Sequence, residues 1–245
     1  MADASYVLPW PLPYVLERER ANAIAVPVRD TAGDEVTPSA GELTLFDESG
    51  VAIQGPASCT VGPGVASGTI LAATLPATLP LGDRYRIRWT LTLVGVVREF
   101  DIPATVARRA LYQVVTESTL TSRHQEIADL LAAGEDLSTK ITEAWYSIQA
   151  RLISMGRRPE LVMDPFALRE VHTFLALHLC FLDGDASVGG DGKYARMAED
   201  YAEKYESAWE RLTFHYDSDE DGVADEDPVG AVTAVFIGGP GDWYL

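Results

Sequence analysis

Hydrophobic and polar positions along this chain change their period once. From the start to about Ala107 the apolar residues come in short, mostly alternating runs: Ala21–Pro27, Glu42–Phe46, Ser67–Ala72, Tyr85–Leu93 and Val96–Ile102. Gly, Pro, Asp and Ser separate the runs. Alternation puts every second side chain on one face of an extended chain, so each run predicts a half-buried strand. In the clearest, Tyr85, Ile87, Trp89 and Leu91 alternate with Arg86, Arg88 and Thr90. Leu93-Val94-Gly95-Val96 predicts a tight reversal into the next strand. Pro9 to Pro13 predicts an extended edge or arm.

Through Pro103–Val115 the alternation gives way to steps of three and four residues. Thr116, Ser118 or Thr119 can cap a first helix through Leu131, with Ile127, Leu130 and Leu131 inward and Gly134 as its breaker. Asp136–Met155 predicts a second helix, with Leu137, Ile141, Trp145, Ile148 and Leu152 on one face and Gly156 at its end. Asp164 and Pro165 open a third helix to about Leu182, with Leu168, Val171, Phe174, Leu175, Leu179 and Leu182 as its main face. A glycine-rich break, Gly184–Gly192, separates it from a long amphipathic helix, Lys193–Tyr216. An apolar β-prone run, Ala231–Ile237, and an aromatic tail close the chain.

The expected fold class is therefore α+β. An immunoglobulin-like β-sandwich over residues 1–107 is followed by a helical domain over 108–230 and a C-terminal strand and extended tail over 231–245.

The long helix runs into Asp217–Asp227, where Asp217, Asp219 and Asp221 alternate, Gly222 follows, and Asp225 comes next. This spacing matches the first nine positions of a calcium loop, in which carboxylates at positions one, three, five and nine and a backbone carbonyl at seven, here Val223, face one ion. The closing Glu is absent, with Pro228 at its position and Asp227 one earlier. The alternatives are a calcium loop and a solvated acidic turn.

Composition narrows the rest. The 245 residues are 47% hydrophobic, enough for one large core or two small ones. A net charge of -18 argues against a protein that wraps nucleic acid, because phosphate affinity comes from clustered Lys and Arg. Cys59 and Cys180 fall in different predicted domains, so no disulfide is expected. The N-terminus has no basic leader with an apolar core, and no run is long enough to span a bilayer, so a soluble protein made in the cytoplasm is expected.

His124, His172, His178 and His215 form no metal-binding spacing. Neither G-x-S-x-G nor a phosphate-binding GxxxxGK[ST] occurs, so no catalytic residue and no required cofactor is expected. Arg157-Arg158 makes a small basic spot after the second helix, a candidate contact for an acidic partner. Phe236, Trp243, Tyr244 and Leu245 make the terminal strand and tail a candidate for insertion into a partner.

From Leu111 the text resembles the head-tail connector, or adaptor, proteins of tailed bacteriophages. Carrying the resemblance are the V-T-x-S-x-L opening in LYQVVTESTL, the two middle helices, and a last helix with Tyr201, Tyr205 and Trp209 at Y-x-x-x-Y-x-x-x-W that ends in the aspartate-rich loop. It covers a little over half the chain, and residues 1–107 depart from the simplest, purely helical adaptors. The resemblance implies a non-enzymatic virion component assembled in the host cytoplasm: a homo-oligomeric ring of twelve copies. Such a ring binds the portal protein and a tail or stopper protein and passes viral DNA without reading its sequence. The alternative from another class is a calcium-dependent immunoglobulin-like binding or adhesion module.

Overall fold

The structure, a computed structural model, describes residues 6–9, 12–131, 135–188, 192–225 and 229–230. It is of mixed α+β class, with sheets in the N-terminal part and helices in the C-terminal part, and divides into the units Met1–Ala110 and Leu111–Leu245.

The first unit holds β1 (Tyr6–Val7), β2 (Tyr14–Glu17), β3 (Asn22–Pro27), β4 (Arg29–Asp30) and β5 (Ala40–Phe46), then β6 (Ala52–Ser58), β7 (Thr60–Gly62), β8 (Val65–Ile70), β9 (Gly82–Leu93) and β10 (Val96–Ala107). One sheet has the order β2-β10-β9-β5-β6, a second has β3-β8-β7, and β1 pairs with β4. The alternation of β9 is realised: Tyr85, Ile87, Trp89, Leu91 and Leu93 are buried. They share a core with Leu43 and Leu45 of β5 and with Ile24, Val26, Ala66 and Ile70 from the second sheet. The two larger sheets thus bury apolar faces in common, the arrangement that makes amphipathic sheets stable in water.

The reversal between β9 and β10 is the expected two-residue turn, with Val94 and Gly95 both at positive φ, 49° and 79°. The pairing of β2 with β10 is parallel, with Tyr14 opposite Ala104 and Glu17 opposite Ala107. Residues 10 and 11 of the proline-rich stretch lie outside the described residues. Gln54, buried in β6, was not expected as a structural hub. Its amide donates to the Thr69 carbonyl, and its carbonyl accepts from Leu71 N and the Thr74 hydroxyl.

The second unit holds α1 (Glu117–Thr121), α2 (Leu137–Ser154), α3 (Arg169–Val188), α4 (Lys193–Glu210), β11 (Thr213–Phe214) and β12 (Val229–Gly230). The second helix forms where expected. The Asp136 carboxylate accepts from Thr139 N at 2.7 Å, Met155 caps the other end, and Gly156 leaves at φ 73°.

Four expectations need correction. The first helix does not reach Leu131: it stops at Thr121, and only a 3-10 turn, Ile127–Leu130, follows. The intervening His124 is turned inward, its Nε2 2.6 Å from the Tyr201 hydroxyl and its ring 5.0 Å from that of Phe181, which a continuing helix would not deliver. The third helix does not break at Gly184 but runs to Val188, after a 3-10 turn at Pro165–Leu168. Glycine suits that position because an added Cβ would stand 3.1 Å from Leu130 Cβ. Of the expected main face, Leu168, Val171 and Phe174 are buried and Leu175 and Leu179 pack partly against the core, but Leu182 is exposed. The long helix ends at Glu210 rather than Tyr216, because Thr213 and Phe214 pair with Gly230 and Val229. Gly134 and the run Ala231–Ile237 lie outside the described residues.

Three helices pack around one apolar core. Tyr201 of α4 lies against Phe174 and Phe181 of α3, and Trp145 of α2 lies 4.9 Å from the His172 ring of α3.

Candidate functional site

The chain leaving α4 is fastened to the segment between α2 and α3 before the acidic loop begins. Tyr216 forms an antiparallel bridge with Val162, Met163 N donates to the His215 carbonyl, and Asp217 N donates to the Leu161 carbonyl at 3.0 Å. The Tyr216 hydroxyl accepts from Arg158 N at 2.9 Å, and its carbonyl accepts from Asp225 N at 2.8 Å. Tyr216 therefore holds both ends of the turn.

Within the turn the carboxylates fold back onto backbone amides. Asp217 Oδ2 accepts from Gly222 N at 2.9 Å, Asp219 Oδ1 from Asp221 N, Asp221 Oδ1 from Val223 N at 2.7 Å, and Asp225 Oδ2 from Ser218 N. Glu220 and Gly222 take positive φ, 60° and 90°, which closes the bend. One carboxyl oxygen each from Asp217, Asp219 and Asp221 lies within 4.8 Å of the others. Asp219 and Asp221 are exposed, but Asp217 is only 3% exposed, and its Oδ1 is buried with no hydrogen-bond partner. Burial, then the neighbouring Asp221 and Asp219, push the Asp217 carboxyl above the usual carboxylate range against the pull of the Gly222 amide.

Of the residues singled out in the sequence, Asp217, Asp219 and Asp221 come together. Val223 and Asp225 close the turn through their amides, and the Asp225 carboxylate is not in the group of three. Arg158 donates from Nε to Glu160 at 2.7 Å and reaches Glu220, so the acidic group it meets is in its own chain. The Arg157 guanidinium lies 5.4 Å from the centre of the Tyr216 ring. Phe236, Trp243, Tyr244 and Leu245 lie outside the described residues. Sequence reasoning missed the roles of Tyr216 and Glu220; the only signal was position, Tyr216 just before the loop and Glu220 within it.

The histidines of the helical unit hold helices together. His172 Nε2 donates to the Ile141 carbonyl at 2.9 Å, and His178 Nδ1 donates to the Ala198 carbonyl at 2.9 Å. His124 lines a cleft of about 550 Å³ with Arg123, Phe181 and Tyr194, and its Nε2 is taken up by Tyr201. Burial pushes the thiol of Cys59 up to about 11 and that of Cys180 to about 12, so neither is a ready thiolate nucleophile.

His172 makes the helical unit acid-sensitive. Its ring is fully buried, its Nδ1 has no partner, and burial holds its pKa below the usual histidine value of 6.5. As pH falls through about 6.5 the unfolded chain takes up the proton first, so stability present above that pH is lost progressively until the lower folded pKa is passed. Urea midpoints should fall between neutral pH and about pH 5, and the fall should be smaller in His172→Leu. An unchanged pH slope in that variant would refute the assignment.

No family model matches the sequence, and no curated protein matches it. Solved structures give weak partial likenesses. Alpha-2-macroglobulin of E. coli aligns with 45% of this chain and 6% of its own, at 14% identity and a TM-score of 0.30. The endo-beta-1,4-mannanase of Thermotoga petrophila aligns with 44% of this chain and 21% of its own, at 12% identity and a TM-score of 0.26. The Lin-41 filamin domain aligns with 43% of this chain and 93% of its own, at 20% identity and a TM-score of 0.25. This chain is thus similar to short stretches of the first two proteins, and no family membership is shown.

Proposed function

We propose that the chain is a structural head-tail connector of a tailed bacteriophage, a ring of copies between portal and tail through which DNA passes. The observation that carries the reading is the position of the residues bearing the resemblance. Val115 and Leu120 of the V-T-x-S-x-L opening and Tyr201, Tyr205 and Trp209 of the last helix are all buried in one core. Thr116 precedes the short helix, its amide facing the Thr119 hydroxyl at 3.4 Å. The motif thus coincides with what holds α1, α3 and α4 together, as it would if it were a signature of that fold.

On this reading the first 107 residues are an added immunoglobulin-like domain, residues 108–230 form the ring, and Phe236, Trp243, Tyr244 and Leu245 engage the portal or a neighbouring copy. The charge of -18 gives passing DNA a repulsive wall rather than a binding track. The role is non-enzymatic, located in the virion, and needs no membrane; no helix among the described residues is long and apolar enough to cross one. The acidic loop belongs to the helical unit, so it does not favour a calcium-dependent adhesion module built on the sheets.

Purified protein mixed with the portal protein of the same phage should form rings seated on the portal in electron micrographs. Deleting residues 231–245 should abolish seating. A stable monomer that ignores the portal would overturn the reading.

A further inference from the structure

The oxygens of Asp217, Asp219 and Asp221 are spaced for one ion. Two oxygens that each sit about 2.4 Å from a calcium ion are at most about 4.8 Å apart, and these three lie within 4.8 Å of one another. Acidic residues gathered on a surface are common without a cation. What separates this group is Asp217, which is buried and whose backbone is tied outside the loop by the Tyr216–Val162 bridge and the Leu161 carbonyl. Its Oδ2 is used by Gly222 N, while Oδ1 is left buried with neither donor nor water-exposed surface. A buried carboxylate oxygen in that condition is costly, and native folds supply it with a donor or a cation. Arg158 reaches the loop but pairs with Glu160 and Glu220 rather than with the three aspartates.

We propose that Asp217, Asp219 and Asp221 each give one carboxylate oxygen to a single calcium ion that clamps the connection between β11 and β12. An all-oxygen, triply anionic set selects a hard divalent cation. Two of the three carboxylates are exposed on a bend and can adjust, which suits the variable coordination of calcium better than the strict octahedron of magnesium. Water and backbone carbonyls complete the shell. The inference does not depend on the connector reading, since an ion here would stiffen the helical unit in any assembly.

Full-length protein stripped with EDTA and titrated with calcium chloride in a calorimeter should bind one ion per chain and gain several degrees in Tm. Asp219→Asn, at an exposed position, should fold normally and bind at least about tenfold more weakly. Asp217→Asn should abolish the calcium response and raise the Tm of the metal-free protein, because the Asn oxygen can keep the Gly222 bond while its amide donates toward Asp219 and Asp221. No heat and no Tm gain in the wild-type chain would overturn the site, as would a calcium response that survives both substitutions. Magnesium binding as tight as calcium would overturn the calcium assignment.

Discussion

Replacing Trp209 with alanine is expected to cost the helical unit about 3–5 kcal/mol, the range for truncating a fully buried aromatic ring. Trp209 is 1% exposed, its ring centre stands 6.1 Å from that of Tyr205, and the Arg151 guanidinium covers it at 4.4 Å. Arg151 in turn makes two bonds to the Glu206 carboxylate, at 2.8 and 2.7 Å, joining α2 to α4. Losing the ring therefore opens a cavity and strips one face from the cation that links the two helices. Since whole domains are stable by only about 5–15 kcal/mol, the helical far-ultraviolet signal should lose most of its urea midpoint. Trp209→Phe should be far milder, because Trp209 Nε1 has no hydrogen-bond partner to lose. A change below about 0.5 kcal/mol in the alanine variant, the level of an ordinary surface substitution, would contradict the packing described.

Gly68→Ala should be the most damaging single-methyl change in the sheets. A Cβ there would stand 2.1 Å from Leu43 Cδ2 and 3.5 Å from Cys59 Sγ. Leu43 is fully buried among Ile87, Trp89 and Val26, so it has little room to retreat. Overpacking of this kind costs about 1–3 kcal/mol or more. Adding Leu43→Ala should make the double variant more stable than the sum of the two single losses by at least about 1 kcal/mol, since one change makes the room that the other needs. Strict additivity would show that Gly68 is not held small by Leu43.

Elements whose reasons lie within their own residues were legible in the sequence. The alternation of β9 and the caps of α2 are local signals, and both gave the right element to within a few residues. Where the reading went wrong, distant groups decided the local structure. The helix expected through Leu131 yields to His124 turning toward Phe181 and toward Tyr201, the latter a demand made from 77 residues away. The strand Ala52–Ser58 contains Gly55 and Pro56, which mask it, and it is held by pairing with β5. The same holds for the acidic loop. Spacing alone marked Asp217, Asp219 and Asp221 as candidates, but only the fold buries Asp217 and orphans its Oδ1, because the bridge to Val162 depends on a segment more than fifty residues earlier. Arg158 was readable as a positive spot, while its attachment to Glu220 needed the tertiary structure.

The parallel pairing of β2 with β10 sets the order in which the first unit can fold during synthesis. Tyr14 emerges from the ribosome early, yet its partner Ala104 is made almost at the end of the unit. The antiparallel pairs β5 with β6, β7 with β8 and β9 with β10 join neighbours and can form as soon as each hairpin is out. The five-stranded sheet cannot close until residue 107 is free, when Arg18 N donates to the Ala107 carbonyl and Ala110 N to the Glu17 carboxylate. Such non-local closure is slow and leaves β10 with an open edge in the meantime. The helical unit follows directly in the chain, so the last strand must be covered while the next unit is still emerging.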